Sequence, residues 1–329
     1  MQSISVNNVN EAYPLAAKLL QLRGKEVSPR GMHTLELPEP LTTTYHQPQE
    51  RVCLVPERDA NPFFHLFESL WILAGRRDVK WLAQFNRRMA DYSDDGEVFH
   101  AAYGCRLRNT IWGDQIKEAI KMLKEDPDTR RCVLQIWDAR YDLNANSKDI
   151  PCNDLVFLKI RNGHLNMTVC NRSNDMIWGA YGANVVQFSM IQEYIANKVG
   201  ANVGIYNQVS DSFHVYTDNP QWEKIKNLPY SDYDPYKYDV RPFPLGAEDD
   251  SWGDDLMKFM YAAEPSCVNV VDCGFTTDFF ECVAKPMWRC WAAHKYGGEG
   301  LEFIEDIAAT DWRAAAKMWL TKREKINVL

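Results

Sequence analysis

The chain has 329 residues, and its 45 acidic and 37 basic side chains give a formal net charge of −8. This acidic balance argues against sequence-independent binding of polymeric nucleic acid. Any phosphate that the protein binds is therefore expected to belong to a small molecule and to be held by a few local arginines. The nine cysteines lack the spacing of a zinc site or of a secreted disulfide framework, and no signal-like N-terminus or long apolar run occurs. We therefore predict a soluble, cytoplasmic protein with no membrane segment and no metal.

Hydrophobic patterning predicts the elements of the first two thirds of the chain. Apolar side chains recur at helical intervals over 11–23, 62–74 and 183–199. A β-branched and aromatic run predicts a strand over 131–138. Strands over 154–160 and 165–170 then form a predicted hairpin, because Asn162-Gly163 between them tolerates the positive φ angles of a tight turn.

The last third of the chain has weaker patterning. Residues 220–255 are rich in Pro, Tyr and Asp and predict irregular loops, whereas 299–325 predict an amphipathic C-terminal helix that ends in KREK. No linker divides the chain. We therefore expect one domain over 1–329, with a core over about 12–220 and a divergent C-terminal part over 221–329.

Cys152 is the first candidate for chemistry. It follows Pro151 at the entry of the predicted hairpin, where a substrate can reach the thiol. A lone cysteine in such a place is more often a buried hydrophobe, and a reactive one needs positive charge nearby. Arg172, at the other end of the hairpin sequence, is expected at the same sheet edge and can bind a phosphate and favour the thiolate. A surface salt bridge from Arg172 to Asp175 is the alternative interpretation.

Six segments in matching order resemble motifs of the thymidylate synthase family. Pro151-Cys152 resembles its nucleophile motif, and Arg172-Ser173-Asn174-Asp175 with Gly179 resembles its R-S-x-D-x-x-x-G segment. The other four lie in SPRGMHTLEL, FESLWILAG, DPDTRR and SFHVY. The resemblance implies an α/β (α+β) fold in which helices pack on a mixed β-sheet and the sheet forms the interface of a homodimer.

The resemblance also implies a role for each matched side chain. Cys152 would add to C6 of a pyrimidine nucleoside monophosphate, Glu68 would move protons, and the folate 5,10-methylenetetrahydrofolate would donate one carbon. The implied phosphate ligands are Arg30, Arg130, Arg131, Arg172 and Ser173, with Arg130 and Arg131 reaching into the neighbouring subunit. The implied base and sugar ligands are Asn184, Asp175, His214 and Tyr216. Asn184 follows a loop one residue longer than the family spacing.

Two departures from the synthase pattern concern water and the folate side of the site. Asn153 stands where the synthase has a histidine, and the segment 85–91 has no tryptophan and carries Asn86 instead. A polar residue there admits water to the methylene intermediate, which favours a hydroxymethyl over a methyl product. The chain therefore resembles phage-type hydroxymethylases more than a synthase. Asn184 resembles the asparagine with which the family recognises uracil, and this resemblance favours dUMP over dCMP.

Three other functions remain open at this point. Thymidylate synthesis needs the same residues with hydride transfer in place of hydration. A catalytically silent nucleotide-binding relative would keep the fold, although the presence of Cys152 and Glu68 argues against it. A cysteine hydrolase would need a histidine beside Cys152, and His164 in the hairpin turn is only the nearest in sequence.

Overall fold

A computed structural model gives the fold of residues 1–109, 113–229, 234–265 and 270–324. A mixed eight-stranded sheet forms its centre, in the order β1-β4-β8-β7-β6-β5, with β3 also on β8 and β2 on β3. The strands are β1 (Gln2–Val6), β2 (Lys25–Val27), β3 (Thr34–Glu36), β4 (Leu41–Tyr45), β5 (Val133–Gln135), β6 (Asn153–Arg161), β7 (His164–Asp175) and β8 (Asn202–Tyr216). The pairs β1/β4 and β7/β8 are parallel, and the others are antiparallel.

Helices pack on this sheet, which confirms the predicted fold class. They are α1 (Val9–Arg23), α2 (Pro62–Leu73), α3 (Val79–Ala83), α4 (Tyr103–Arg108), α5 (Gln115–Glu125), α6 (Ala139–Asp142), α7 (Asn184–Val199), α8 (Pro220–Ile225), α9 (Pro235–Tyr238), α10 (Ser251–Ala262), α11 (Lys285–Lys295) and α12 (Thr310–Glu324). Short 3-10 helices cover Pro29–Gly31, Arg87–Tyr92 and Gly300–Asp306, and π-helices cover Met176–Ala183 and Phe280–Ala284. Within the described residues, no helix has the length and apolar character needed to cross a membrane.

The predicted hairpin is confirmed, and it positions the chemistry. Asn162 and Gly163 take φ angles of 52° and 74° between β6 and β7, as the tight turn requires. The far end of the hairpin closes where the backbone N–H of Arg172 donates to the carbonyl of Cys152 at 3.0 Å. The end of β7 also lies beside the end of β8, with Asp175 paired to His214. Cys152, the end of β7 and the end of β8 therefore meet at one end of these strands.

The helices α2 and α7 pack together beside the ends of these strands, and both confirm their predicted positions. Asn61 caps α2 because its side chain accepts from the backbone N–H of Phe64 at 3.1 Å. Every side chain of α2 is buried, including Glu68. The π-helix Met176–Ala183 runs directly into α7, because a π-turn accommodates one extra residue without ending the helix.

Two predictions need correction. The strand predicted over 131–138 is only β5, since Ile136 and Trp137 donate their backbone N–H groups to the single carbonyl of Asp154. The prediction of loops over 220–255 is wrong, because that segment contains α8, α9 and the start of α10. Asn219-Pro220 and Asp234-Pro235 in fact begin helices, with proline in the first turn and the preceding side chain as cap.

The predicted C-terminal helix is confirmed only from Thr310, where α12 begins. Before it, Ala308 donates its backbone N–H to Cys282 at 2.9 Å, so the chain is extended there and separates α12 from a 3-10 turn. Residue 325 lies outside the described residues. The C-terminal helices pack against α2, since the ring of Phe63 lies 5.8 Å from that of Trp291 and 5.5 Å from that of Trp319.

Candidate active site

A cavity of about 360 Å³ opens beside α2, where the central strands β7 and β8 end. Eight residues singled out from the sequence line it: Glu68, Asn86, Cys152, Ser173, Asp175, Asn184, His214 and Tyr216. They come from six separate segments of the chain. Their convergence supports treating this cavity as the candidate active site.

Cys152 lies in the wall of the cavity beside Arg172. Its Sγ is 3.8 Å from Nη2 of Arg172, and the same guanidinium donates to the carbonyl oxygens of Pro151 at 2.7 Å and Ile150 at 3.0 Å. Burial raises the pKa of Cys152, and the positive charge of Arg172 opposes that shift without cancelling it. The predicted proximity of the two side chains is confirmed, but burial outweighs the arginine in setting the pKa.

The alternative salt bridge between Arg172 and Asp175 is not formed, because the guanidinium bonds to backbone carbonyls instead. Asp175 accepts the backbone N–H of Trp178 through Oδ2, which fixes the start of the π-helix. Its Oδ1 is buried and has no hydrogen-bond partner within the described residues. Burial raises the pKa of Asp175. A buried acceptor without a partner, at a cavity that Ser173 also lines, suits a ligand that donates a hydrogen bond.

A chain of side-chain amides runs beneath the cavity. Asn153 donates to Oδ1 of Asn184 at 3.4 Å, Asn184 donates to Oδ1 of Asn174 at 3.0 Å, and Asn174 donates to Oγ of Ser210 at 3.1 Å. A Cβ at Gly179 would lie 2.7 Å from Oδ1 of Asn174, so only glycine leaves room for this contact. Asn184 keeps one N–H and one lone pair for a ligand.

This chain of amides corrects the prediction for Asn153. The sequence suggested that Asn153 belongs to the folate side of the site and to water access. The side chain of Asn153 is instead fully buried against Asn184, and Asn153 does not line the cavity. The reason is its position as the first residue of β6, where alternation turns it inward after Cys152.

Glu68 faces the cavity from α2 and bonds to a residue that the sequence did not single out. Its Oε2 accepts from Nε2 of Gln187 on α7 at 2.7 Å. Burial raises the pKa of Glu68 to about 7, and the bond from Gln187 acts in the opposite direction. A carboxyl group with a pKa near neutrality can both give and take a proton, as general acid and base catalysis requires.

His214 and Tyr216 lie one residue apart on β8 and share the face that borders the cavity, as predicted. Their rings pack edge to face with centroids 5.4 Å apart. Nδ1 of His214 lies 3.2 Å from Oγ of Ser212, which leaves Nε2 to face other groups. Burial raises the pKa of Tyr216, so its hydroxyl stays protonated and can donate.

None of the four predicted phosphate arginines lines this cavity, although Arg172 contacts Cys152 in its wall. Arg30 is exposed in a short turn with a φ of 52°, and its charge lowers the pKa of Cys152, so it lies within electrostatic reach. Arg130 and Arg131 are exposed ahead of β5. Of the predicted arginines, the single chain therefore brings only Arg172 into contact with the nucleophile.

Aromatic side chains that the sequence analysis missed cover part of the cavity. The segment 84–92 has no tryptophan and contributes Asn86 and Tyr92, but Trp71, Tyr103 and Trp178 enter from other segments. Trp178 is 44% exposed, and the guanidinium carbons of Arg58 and Arg88 lie 4.9 and 5.8 Å from its ring centroid. Trp178 lies three residues after Asp175, within the segment that resembles R-S-x-D-x-x-x-G, and this position could have indicated a place in the site.

Fold and site together define the class to which this chain belongs. It is a member of the thymidylate synthase family, whose family model matches residues 18–229. This confirms the resemblance read from the motifs.

Among individual proteins, the chain is 43% identical to the deoxyuridylate hydroxymethyltransferase of Pseudomonas phage M6, over 98% of this chain and 95% of that protein. It is 44% identical to the protein of the same name from Bacillus phage SP01, over 60% of this chain and 54% of that protein. A putative thymidylate synthase of Methanothermobacter marburgensis is 31% identical over 68% of this chain and 98% of its own length.

Proposed function

We propose that this chain is a deoxyuridylate hydroxymethyltransferase, which converts dUMP to 5-hydroxymethyl-dUMP with 5,10-methylenetetrahydrofolate. The observation that carries the proposal is one cavity in which the thiol of Cys152, the carboxyl of Glu68 and the amide of Asn184 converge. The similarity over nearly the whole chain to a phage protein of that name supports it.

The cavity suits a uracil nucleotide. The free acceptor and donor of Asn184 match N3–H and O4 of uracil, and the unpartnered Oδ1 of Asp175 can accept a further hydrogen bond. His214 and Tyr216 would hold the 3′-hydroxyl of the sugar. Arg172, beside Ser173, would bind the phosphate, since a dianion taken from water requires charged donors.

The same cavity suits a folate, which has a flat pterin ring at one end and a glutamate carboxylate at the other. Trp178 offers an exposed ring, and Arg58 and Arg88 bring positive charge to that ring. Bound there, 5,10-methylenetetrahydrofolate supplies the one-carbon unit. Asn86 lies on the cavity wall and would give water access to the new carbon.

The residues of the chain divide the chemistry between them. The thiolate of Cys152 attacks C6 of uracil, which makes C5 a carbon nucleophile. Glu68 accepts and returns protons around C5, because its pKa of about 7 leaves both forms populated at neutral pH. C5 would bond to the one-carbon unit, and loss of the C5 proton and of tetrahydrofolate would leave an exocyclic methylene on the base. Water would then add to that carbon as the C6–S bond breaks. Cys152 is then free for another turnover.

We further propose a homodimer that forms through the sheet. Val133 and Phe157 pair across β5 and β6, so they share one face of the sheet. Phe157 pairs with Thr168, Thr168 pairs with Asn207, and Ile205 lies two residues from Asn207, which places it on that same face. Val133, Phe157 and Ile205 are all exposed large apolar side chains in the single chain, as a face buried by a partner would be.

The exposed Arg130 and Arg131 would complete the phosphate site of the neighbouring subunit. Mixing a Cys152→Ser chain with an Arg130→Ala/Arg131→Ala chain tests this, because each is inactive alone and the mixed dimer regains one complete site. Recovery of about one quarter of the wild-type activity is expected for random exchange. No recovery after subunit exchange would contradict shared sites.

One assay tests the main proposal. The protein is incubated with methylenetetrahydrofolate and each of dUMP, dCMP, UMP and CMP, and the nucleotide products are identified by mass. We expect dUMP to gain a hydroxymethyl group without formation of dihydrofolate, and Cys152→Ser to give no product. A methylated product with stoichiometric dihydrofolate would instead support the second candidate, thymidylate synthase.

The organisation of the chain belongs to the same proposal. We infer a single domain over 1–329, supported by a hydrophobic core whose buried members run from Ile4 to Leu320. The cytoplasm of a phage-infected host is the proposed location, in keeping with the phage origin of two relatives.

A further inference from the structure

Gln187 is a buried polar side chain in the cavity wall, and the motifs did not single it out. It lies on α7, is 4% exposed, and uses Nε2 to bond to Oε2 of Glu68. Its Oε1 is buried and has no hydrogen-bond partner within the described residues. Leaving a buried amide oxygen unpaired costs on the order of 1–3 kcal/mol, so such an oxygen normally meets a ligand or an ordered water.

The position of Gln187 on α7 places its side chain near the proposed binding site of the base. It follows Asn184 by three residues, so both side chains project from one face of the helix about one turn apart. Asn184 in turn contacts Asn153, which directly follows Cys152. The pair Gln187 and Glu68 therefore borders the space next to the base, beyond the amide that would read its N3 and O4 atoms.

We propose that Gln187 is a positioning residue that holds the attacking water between its Oε1 and the carboxylate of Glu68, and thereby favours the hydroxymethyl product. This inference rests on the proposed function. The water oxygen bonds to the exocyclic carbon, and its proton passes to Glu68. The electron pair of the exocyclic double bond moves into the ring, and the C6–S bond breaks to return the thiolate of Cys152.

The hydrogen-bonding capacity of the two groups explains the arrangement. A water that donates one hydrogen to each of two acceptors turns its lone pairs away from both, toward the electrophilic carbon. Nε2 of Gln187 also remains a donor to Glu68 in either protonation state, since a protonated carboxyl group keeps an oxygen that can accept. Both states matter here because the pKa of Glu68 is about 7.

A trapping experiment tests the proposal. In Gln187→Met the side chain keeps its approximate size and loses both hydrogen bonds, so water addition slows and the methylene intermediate lasts longer. Added 2-mercaptoethanol competes with water for that carbon. We expect the ratio of thioether to hydroxymethyl product to rise about tenfold, the equivalent of one good hydrogen bond, while the KM for dUMP stays within about twofold.

Gln192 provides a matched control on the same helix. It is fully buried, its Oε1 also has no partner within the described residues, and its Nε2 donates to the carbonyl of Leu165 at 2.8 Å. It does not line the cavity. Gln192→Met should therefore affect stability and leave the product ratio unchanged. If Gln187→Met does not fold, Gln187→Asn, whose shorter amide cannot span to Glu68, takes its place.

A second readout needs no folate. Because the bond from Gln187 lowers the pKa of Glu68, the infrared band of the protonated Glu68 carboxyl should persist to higher pH in Gln187→Met. Glu68→Gln assigns the band by removing it.

An unchanged product ratio in folded Gln187→Met, or an equal change in Gln192→Met, would overturn the role of Gln187. The proposed function would survive that result, provided that the wild-type protein makes the hydroxymethyl product. Methylated product from the wild-type protein would instead overturn the proposed function itself.

Discussion

Removal of the Arg172 guanidinium is the most direct test of how the site binds phosphate and holds its thiol. In Arg172→Ala the protein loses the donor to the carbonyl oxygens of Pro151 and Ile150, and the cation 3.8 Å from Sγ of Cys152. A hydrogen bond to a charged group contributes about 1.5–3 kcal/mol. The Kd for dUMP should therefore rise about 10-fold to 150-fold.

Calorimetric titration with dUMP and with deoxyuridine separates the phosphate contact from a general effect. The nucleoside lacks the phosphate, so its Kd should change less than about threefold, within the range of an indirect effect. Alkylation of Cys152 by iodoacetamide should also slow at a fixed pH, because the charge that lowers its pKa is lost.

Arg161→Ala is the control for this experiment. Arg161 ends β6 at the opposite end of the hairpin and likewise bonds to backbone carbonyls, those of Ile160 and Asp128. It should leave both affinities unchanged. Equal losses for dUMP and deoxyuridine in Arg172→Ala, or a loss of similar size in Arg161→Ala, would refute the phosphate role of Arg172.

Three other predictions concern the proton, the base and the water. The folded-state pKa of Glu68 is about 7 against an ordinary 4.5, so the folded protein binds more protons between these values and this contribution to stability falls as pH rises through that window. Urea unfolding at pH 4.5 and 7.5 should show wild-type protein losing on the order of 3 kcal/mol relative to Glu68→Gln. Asn184→Asp should shift kcat/KM toward dCMP by about tenfold, since a carboxylate accepts the cytosine amino proton, and unchanged selectivity would contradict base reading by Asn184. Asn86→Trp should restrict water and produce dihydrofolate, measured by its absorbance, and a product ratio equal to that of wild type would remove Asn86 from water control.

Local sequence patterns determined a large part of the architecture. The Asn162-Gly163 turn and the apolar run of α2 depend on neighbours within a few residues, so their structures follow from turn chemistry and helical period. The same locality explains a failure. Proline after Asn219 signals either a loop or the first turn of a helix, and only packing of the following residues decides between them.

The motif resemblance identified the candidate side chains, eight of which meet in the cavity. It could not determine how they contact one another. Asn153 was expected at the folate side and instead supports Asn184, since its direction depends on its place in β6. The phosphate roles proposed for Arg130 and Arg131 would require a second chain.

The contact between Glu68 and Gln187 illustrates what only the tertiary structure decided. The two residues are 119 positions apart, and neither local pattern indicates the other. A glutamate in an apolar helix signals only that it needs a partner, because an unpaired carboxylate is costly to bury. The packing of α2 on α7 selected Gln187 as that partner, and the burial of Glu68 in this packing raised its pKa toward neutrality.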